Sequence, residues 1–231
     1  MPSDSHSDRI ASASAMKPSG KQDQTTHGSA AAALVIWLGT QLAVLGICAC
    51  RAMLWARSPR AGEELALFVM LAMQIAMSAL LFPHLLGNLR STILTIVTSW
   101  PMAQLAANLS DSTATRLVVG ALYVCAWMIG LYLWAKMLPT AWSKLLGIGV
   151  ASMLSLGGPV LWYLRADFGR DQSQLPIWSM SMFGPICGAI SQIVPEGSGF
   201  GWTIPASVLA AGLAGYFLKR TRREISRQVI H

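Results

Sequence analysis

PIWSMSMFGPICGAISQIVP, residues 176–195, is apolar along most of its length and carries no charge. Its length suits a membrane crossing, which takes roughly 20 apolar residues. Yet Pro185 stands at its middle, with Gly184 before it and Gly188 after it, and Pro176 and Pro195 bound it. Proline removes a backbone donor and clashes with the preceding helical turn. The stretch therefore reads either as a kinked crossing helix or as a broken segment that enters the bilayer and returns. That choice fixes how often the chain crosses and on which side it begins.

The rest of the chain supplies the context. No charged residue occurs between Asp23 and Arg51, nor in 65–89, 91–110, 117–135, 145–164, 172–195 or 197–218. Charged residues make up 12% of the 231 positions and hydrophobic ones 54%; a soluble domain carries about 25% charge. The fold class this implies is all-α, a polytopic transmembrane helical bundle. Crossing helices are expected at Ala30–Cys50, Leu65–Leu86, Thr92–Ala107, Leu117–Ala135, Leu145–Leu164 and Trp202–Leu218. Pro101 is expected to kink the third, and Gly157-Gly158-Pro159 to bend the fifth. Short connections imply that consecutive helices pack as antiparallel neighbours.

The ends differ from this membrane domain, which spans 30–218. Residues 1–29 are rich in Ser, Asp, Gln and Thr and lack aromatics, a composition that predicts a disordered tail. The stretch is too long and too acidic for the start of a signal peptide. The ICAC sequence at 47–50 offers a lipoprotein-like cysteine, but an uncleaved first crossing is the preferred reading. The tail at 219–231 holds the run KRTRREISR and is expected in the cytoplasm. The net charge of +7 is gathered beside membrane segments, which points to lipid headgroups rather than nucleic acid.

With six or with seven crossings, the side holding the C-terminal tail collects eleven Lys and Arg residues against six on the other. Charge thus places the C-terminus in the cytoplasm without choosing between them. A seventh crossing would require export of the polar N-terminal stretch. Broken backbone is tolerated at membrane depth where protein surrounds it or it lines a cavity. Six crossings with 172–195 broken or re-entrant is therefore the expectation, and Gly184, Pro185 and Gly188 are the residues that would make the break.

Chemistry-bearing residues are sparse. An ionisable group inside a membrane is a functional candidate by default, and His84, in LLFPHLLGNLR with Asn88 and Arg90, is the sole histidine outside the tails. It reads as a relay or substrate contact, or as an interfacial histidine serving a carbonyl freed by Pro83. A bis-histidine haem is excluded within one chain. Thr92, Thr95 and Ser99 share one helical face, with Thr98, Gln104 and Asn108 on the same segment. They line a pathway or hydrogen-bond to neighbouring helices; Gln41 and Gln74 carry the same two readings. Ala211 and Gly215 form a small-xxx-small pair, read as ordinary packing before a dimer seam. Asp167 and Asp171 of RADFGRDQ could act together, but Arg165 and Arg170 neutralise them. Glu63 and Glu64 suit a helix N-terminus. Cys48, Cys50, Cys125 and Cys187 show no metal-ligand spacing and read as small buried hydrophobes.

No G-x-x-x-x-G-K-[ST], H-E-x-x-H or G-x-S-x-G occurs. No cofactor or metal is expected. The layout resembles, in architecture alone, the permease half of an exporter. The functional expectation is a non-catalytic permease-type subunit in the plasma membrane, with a separate ATPase subunit or a second copy as partner. The alternatives are a membrane scaffold or assembly factor, and an embedded enzyme using His84 with Arg90 or the Asp167–Asp171 loop.

Overall fold

Helical periodicity and apolar length dominate the sequence, and the computed structural model is all-helical apart from short connections over the residues it describes, 20–55, 65–110, 112–168, 184–193 and 203–228. Seven helices follow in order: α1 Gly20–Trp55, α2 Leu65–Leu85, α3 Leu89–Leu109, α4 Ala114–Met137, α5 Ala141–Phe168, α6 Pro185–Ile193 and α7 Thr203–Gln228. Four contain a stretch long and apolar enough to cross a membrane: Ala30–Arg51 in α1, Leu65–Leu85, Ala114–Met137 and Ala141–Leu161 in α5. At 21 and 26 residues, α3 and α7 have the length but are more polar, α3 through its hydroxyls and amides and α7 through its basic end. Residues 1–19, Glu63 and Glu64, Asp171 and the last three positions lie outside the described residues.

Helix α1 starts at Gly20 rather than Ala30. The polar stretch 20–29, expected to belong to the disordered tail, continues the helix. Nucleation is the costly step, and a helix already formed by the alanine run at 30–33 propagates at one bond per residue. Pro101 and Pro159 lie inside α3 and α5, which run on past them. Pro185 behaves differently. It opens α6, with Gly184 before it at φ +115°. Proline suits a first helical position, where its missing N–H has no partner to lose. The Gly188 N–H donates to the Gly184 carbonyl at 2.9 Å and closes the first turn. The nine residues of α6 extend about 14 Å, too short to cross a bilayer alone. Residues 172–183 and 194–195 of the expected segment lie outside the described residues.

Helix α2 is the hub, packed against α1, α3, α4, α5 and α6. Its largest buried neighbours are Trp37 of α1 and Trp127 and Tyr123 of α4. Contacts also fix the helix directions. Phe82, near the end of α2, meets the Gly147 position near the start of α5, where Leu138, just past α4, also lies. Leu45 of α1, Met70 of α2 and Ala106 of α3 form a small cluster toward the opposite end. Helices α4 and α7 run parallel: a Cβ on Gly130 would lie 2.8 Å from Val208, one on Gly212 would lie 2.8 Å from Leu133, Gly215 sits on Met137, and Lys219 reaches Lys136. The start of α1 and the finish of α7 thus point to the same end of the bundle, and α5 finishes at the end where α7 begins.

Candidate functional site

The polar residues inside the bundle converge at mid-depth. Gln41, Gln74 and Ser99 each sit near the middle of their helix, on α1, α2 and α3. The Gln74 side-chain amide donates to the Gln41 Oε1 at 2.9 Å and to the Ser99 backbone carbonyl at 3.0 Å. Both glutamines are 1% exposed. In hydrocarbon an unmet amide is expensive, so one glutamine selects the depth at which three helices meet. A second link lies beside it. Trp127 Nε1 of α4 donates to Ser78 Oγ of α2 at 3.1 Å, and that hydroxyl donates to the Ile75 carbonyl at 2.8 Å.

Thr92, Thr95 and Ser99 are buried on one face of α3, as their spacing predicts. Their hydroxyls turn back onto their own helix: Thr92 to Asn88 at 2.8 Å, Thr95 to Ser91 at 2.7 Å and Ser99 to Thr95 at 2.6 Å. These groups are satisfied locally, and the link between helices runs through the Ser99 carbonyl rather than a hydroxyl. Gln104 lies off this face, exposed, and donates to Asn108 at 3.3 Å.

His84 and Arg90 stand apart from the buried node. Both are exposed, in the last turn of α2 and the first turn of α3. Between them the chain reverses tightly. The Asn88 Oδ1 caps α3 by accepting the Ser91 N–H at 2.8 Å, and the Ser91 hydroxyl donates to the Leu85 carbonyl. A Cβ at Gly87 would strike the Pro83 carbonyl, so glycine is needed there.

Gly184, Pro185 and Gly188 come together at the buried beginning of α6, which packs against α2, α4 and α5. Gly184 lies on the Leu154 carbonyl and the Gly158 backbone of α5, leaving no room for a side chain. Asp167 lies in the last turn of α5, and its proposed partner Asp171 is outside the described residues. Among the described residues no group of three His, Cys, Asp or Glu side chains is placed to hold a metal ion. The four cysteines are free thiols.

Residues that chemistry-based reading passed over are Trp37, Ser78 and Trp127. Trp37 and Gln41 stand four apart on the stripe Ala33, Trp37, Gln41, Leu45, the buried face of α1. That spacing was the available signal. The chain matches no protein-family model, no curated protein and no solved structure. The class defined by the geometry is a helical membrane protein.

Proposed function

We propose that the chain is a multi-pass plasma-membrane protein in which α1 to α5 and α7 cross and α6 belongs to a re-entrant segment, and that it works as a permease-type, non-catalytic subunit of a transport system driven by a separate ATPase. The observation that carries this reading is the parallel pairing of α4 and α7. With α5 running between them in the opposite sense, the connection from α5 to α7 starts and finishes at one end of the bundle. The short α6, opened by Pro185 and enclosed by α2, α4 and α5, fits a segment that enters and leaves by the same face. Discontinuous helices at mid-depth are a recurrent device for handling solutes in transporters. With the start of α1 and the finish of α7 on one side, the excess of Lys and Arg on that side supports a cytoplasmic C-terminus. The absent phosphate loop is the reason for invoking a separate ATPase.

A scaffold or assembly role is the second reading. The hydroxyls of α3 favour it, because they are used within their own helix instead of facing a pathway. Reporter fusions at each end test the topology: cytoplasmic signals from both support six crossings, and an exterior N-terminal signal overturns them. Mild detergent purification from the native host, with mass spectrometry of co-purifying proteins, tests the rest. A stoichiometric ATPase supports the transport reading. A different stoichiometric membrane partner with no ATPase supports the scaffold.

A further inference from the structure

Two donors buried beside the mid-depth node have no partner among the described residues: Trp37 Nε1 and Gln41 Nε2. Trp37 is 0% and Gln41 1% exposed. They occupy adjacent turns of the same inward face of α1. The orientation of the Gln41 amide follows from chemistry. The Ser99 backbone carbonyl only accepts, so the Gln74 atom that meets it is nitrogen. That nitrogen also meets Gln41, so the Gln41 atom facing it is oxygen. The Gln41 nitrogen is left on the far side with both hydrogens unmatched. Bulk water does not reach this depth to satisfy them.

We propose that Trp37 and Gln41 form a binding site, between α1 and the α2–α3 pair, for a small neutral carbonyl compound dissolved in the bilayer. The unmatched groups are all donors, so the occupant must accept. No acidic or basic side chain occurs in this part of α1, α2 or α3, so neither an anion nor a cation is selected. A water would bring two hydrogens of its own into an apolar core that includes Ala33, one turn from Trp37 on α1, and Ile75, beside Gln74 on α2; a ketone or quinone oxygen brings none. The ester carbonyls of phospholipids lie at the interface, outside the hydrocarbon core that the middle of these helices occupies. Helix α1 packs against α2 and α3 and turns Val35 and Leu42 outward, so a molecule in the hydrocarbon reaches the site by passing beside α1. This site stands independently of the transport reading, since it requires only that these helices lie in a membrane.

The test uses the full chain in lipid nanodiscs with benzophenone, an apolar ketone that cross-links to nearby C–H bonds under light. Labelled peptides are mapped by mass spectrometry, with cyclohexanone as competitor. Labelling concentrated on α1 to α3 around Trp37 and Gln41, reduced by cyclohexanone and weakened about five- to tenfold by loss of one hydrogen bond in Trp37→Phe or Gln41→Met, supports the site. Labelling spread over lipid-facing residues, or unchanged in both variants, overturns it. So does labelling around Trp37 and Gln41 that cyclohexanone fails to reduce. The two single variants are judged separately, and only those eluting as a monodisperse peak like the parent are scored. If neither does, competition by cyclohexanone on the parent chain decides, its absence overturning the site.

Discussion

Helices α1, α2 and α3 are joined by what their side chains offer, and α4 and α7 by side chains that are missing. In the first group Gln74 spans three helices with two hydrogen bonds. In the second, Gly130, Gly212 and Gly215 let two backbones approach, and a polar link, Lys219 Nζ to the Lys136 carbonyl at 2.8 Å, ties the end. Lipid tails are as apolar as leucine, so burying apolar area does little to bring helices together in a bilayer. What remains is close packing and hydrogen bonding, and this chain uses one in each half. The two seams should therefore fail differently: the glycine seam by added volume, the glutamine seam by removed partners.

The largest effect is expected at Gly130. A Cβ there would lie 2.8 Å from Val208 Cγ1 and 3.3 Å from the Leu209 backbone nitrogen. The neighbour includes backbone, which yields poorly. Gly130→Leu is expected to cost at the upper end of the ~1–3 kcal/mol typical of overpacking, read as a lower midpoint of thermal unfolding in detergent. Gly215→Ala sharpens the point. Its neighbour is the flexible end of Met137, which swings aside, so the loss should be much smaller. Equal losses at the two glycines would refute a seam set by backbone proximity.

Next comes the glutamine node. Gln74→Leu removes two hydrogen bonds and leaves the Gln41 oxygen and the Ser99 carbonyl facing an apolar side chain. An expected loss of about 1–2 kcal/mol follows from the penalty of an unsatisfied buried group. Adding Gln41→Leu should recover part of it, because both partners are then apolar. A double-mutant cycle on unfolding midpoints measures the coupling; strict additivity would mean the two amides act independently.

The contrast also shows what sequence could reveal. Charge-free windows located helices, and four of the six expected crossings are long and apolar enough to span a membrane, because length and apolarity alone decide that. The start of α6 at Pro185, behind Gly184 at φ +115°, was legible for a similar reason: local backbone chemistry specifies it. The shared face of Thr92, Thr95 and Ser99 followed from periodicity. What those hydroxyls do was not legible, since a pathway and a back-bond share one spacing. Nor was the pairing of Gln41 with Gln74, which depends on which helices touch and at what depth. Of the small-xxx-small pair in α7, Gly215 lies on Met137 of α4, but Ala211 is exposed and its neighbour Gly212 faces α4 instead. Motif spacing names a helix with small residues; only the partner's position tells which face is used.

Between the seams, Trp127→Phe should have a moderate effect. It keeps most of the buried ring and removes the 3.1 Å bond to Ser78. An expected loss of ~0.6 kcal/mol matches the average for hydrogen bonds between membrane helices. Ser78→Ala removes the same bond from the other side, and the two together should cost little more than one. Tryptophan fluorescence alongside the unfolding midpoint would check that the core keeps its packing.

The smallest effect is expected at Thr95, where the comparison bears on function. Thr95 is fully buried, which by itself invites a functional role. Its hydroxyl, however, donates only to the Ser91 carbonyl at 2.7 Å, one turn back on its own helix. That carbonyl is already within reach of the Thr95 backbone N–H, so removing the hydroxyl strands no acceptor. Valine keeps the β-branched shape. Thr95→Val should then shift stability by no more than about 0.5 kcal/mol, below the average of ~0.6 kcal/mol for a bond that joins membrane helices. If the α3 face is packing, any partner captured by the parent chain is captured equally by the variant, and any transport assayed with that partner is unchanged. A variant as stable as the parent but impaired in transport would instead place Thr95 on a solute path, with its hydroxyl leaving Ser91 when the solute arrives.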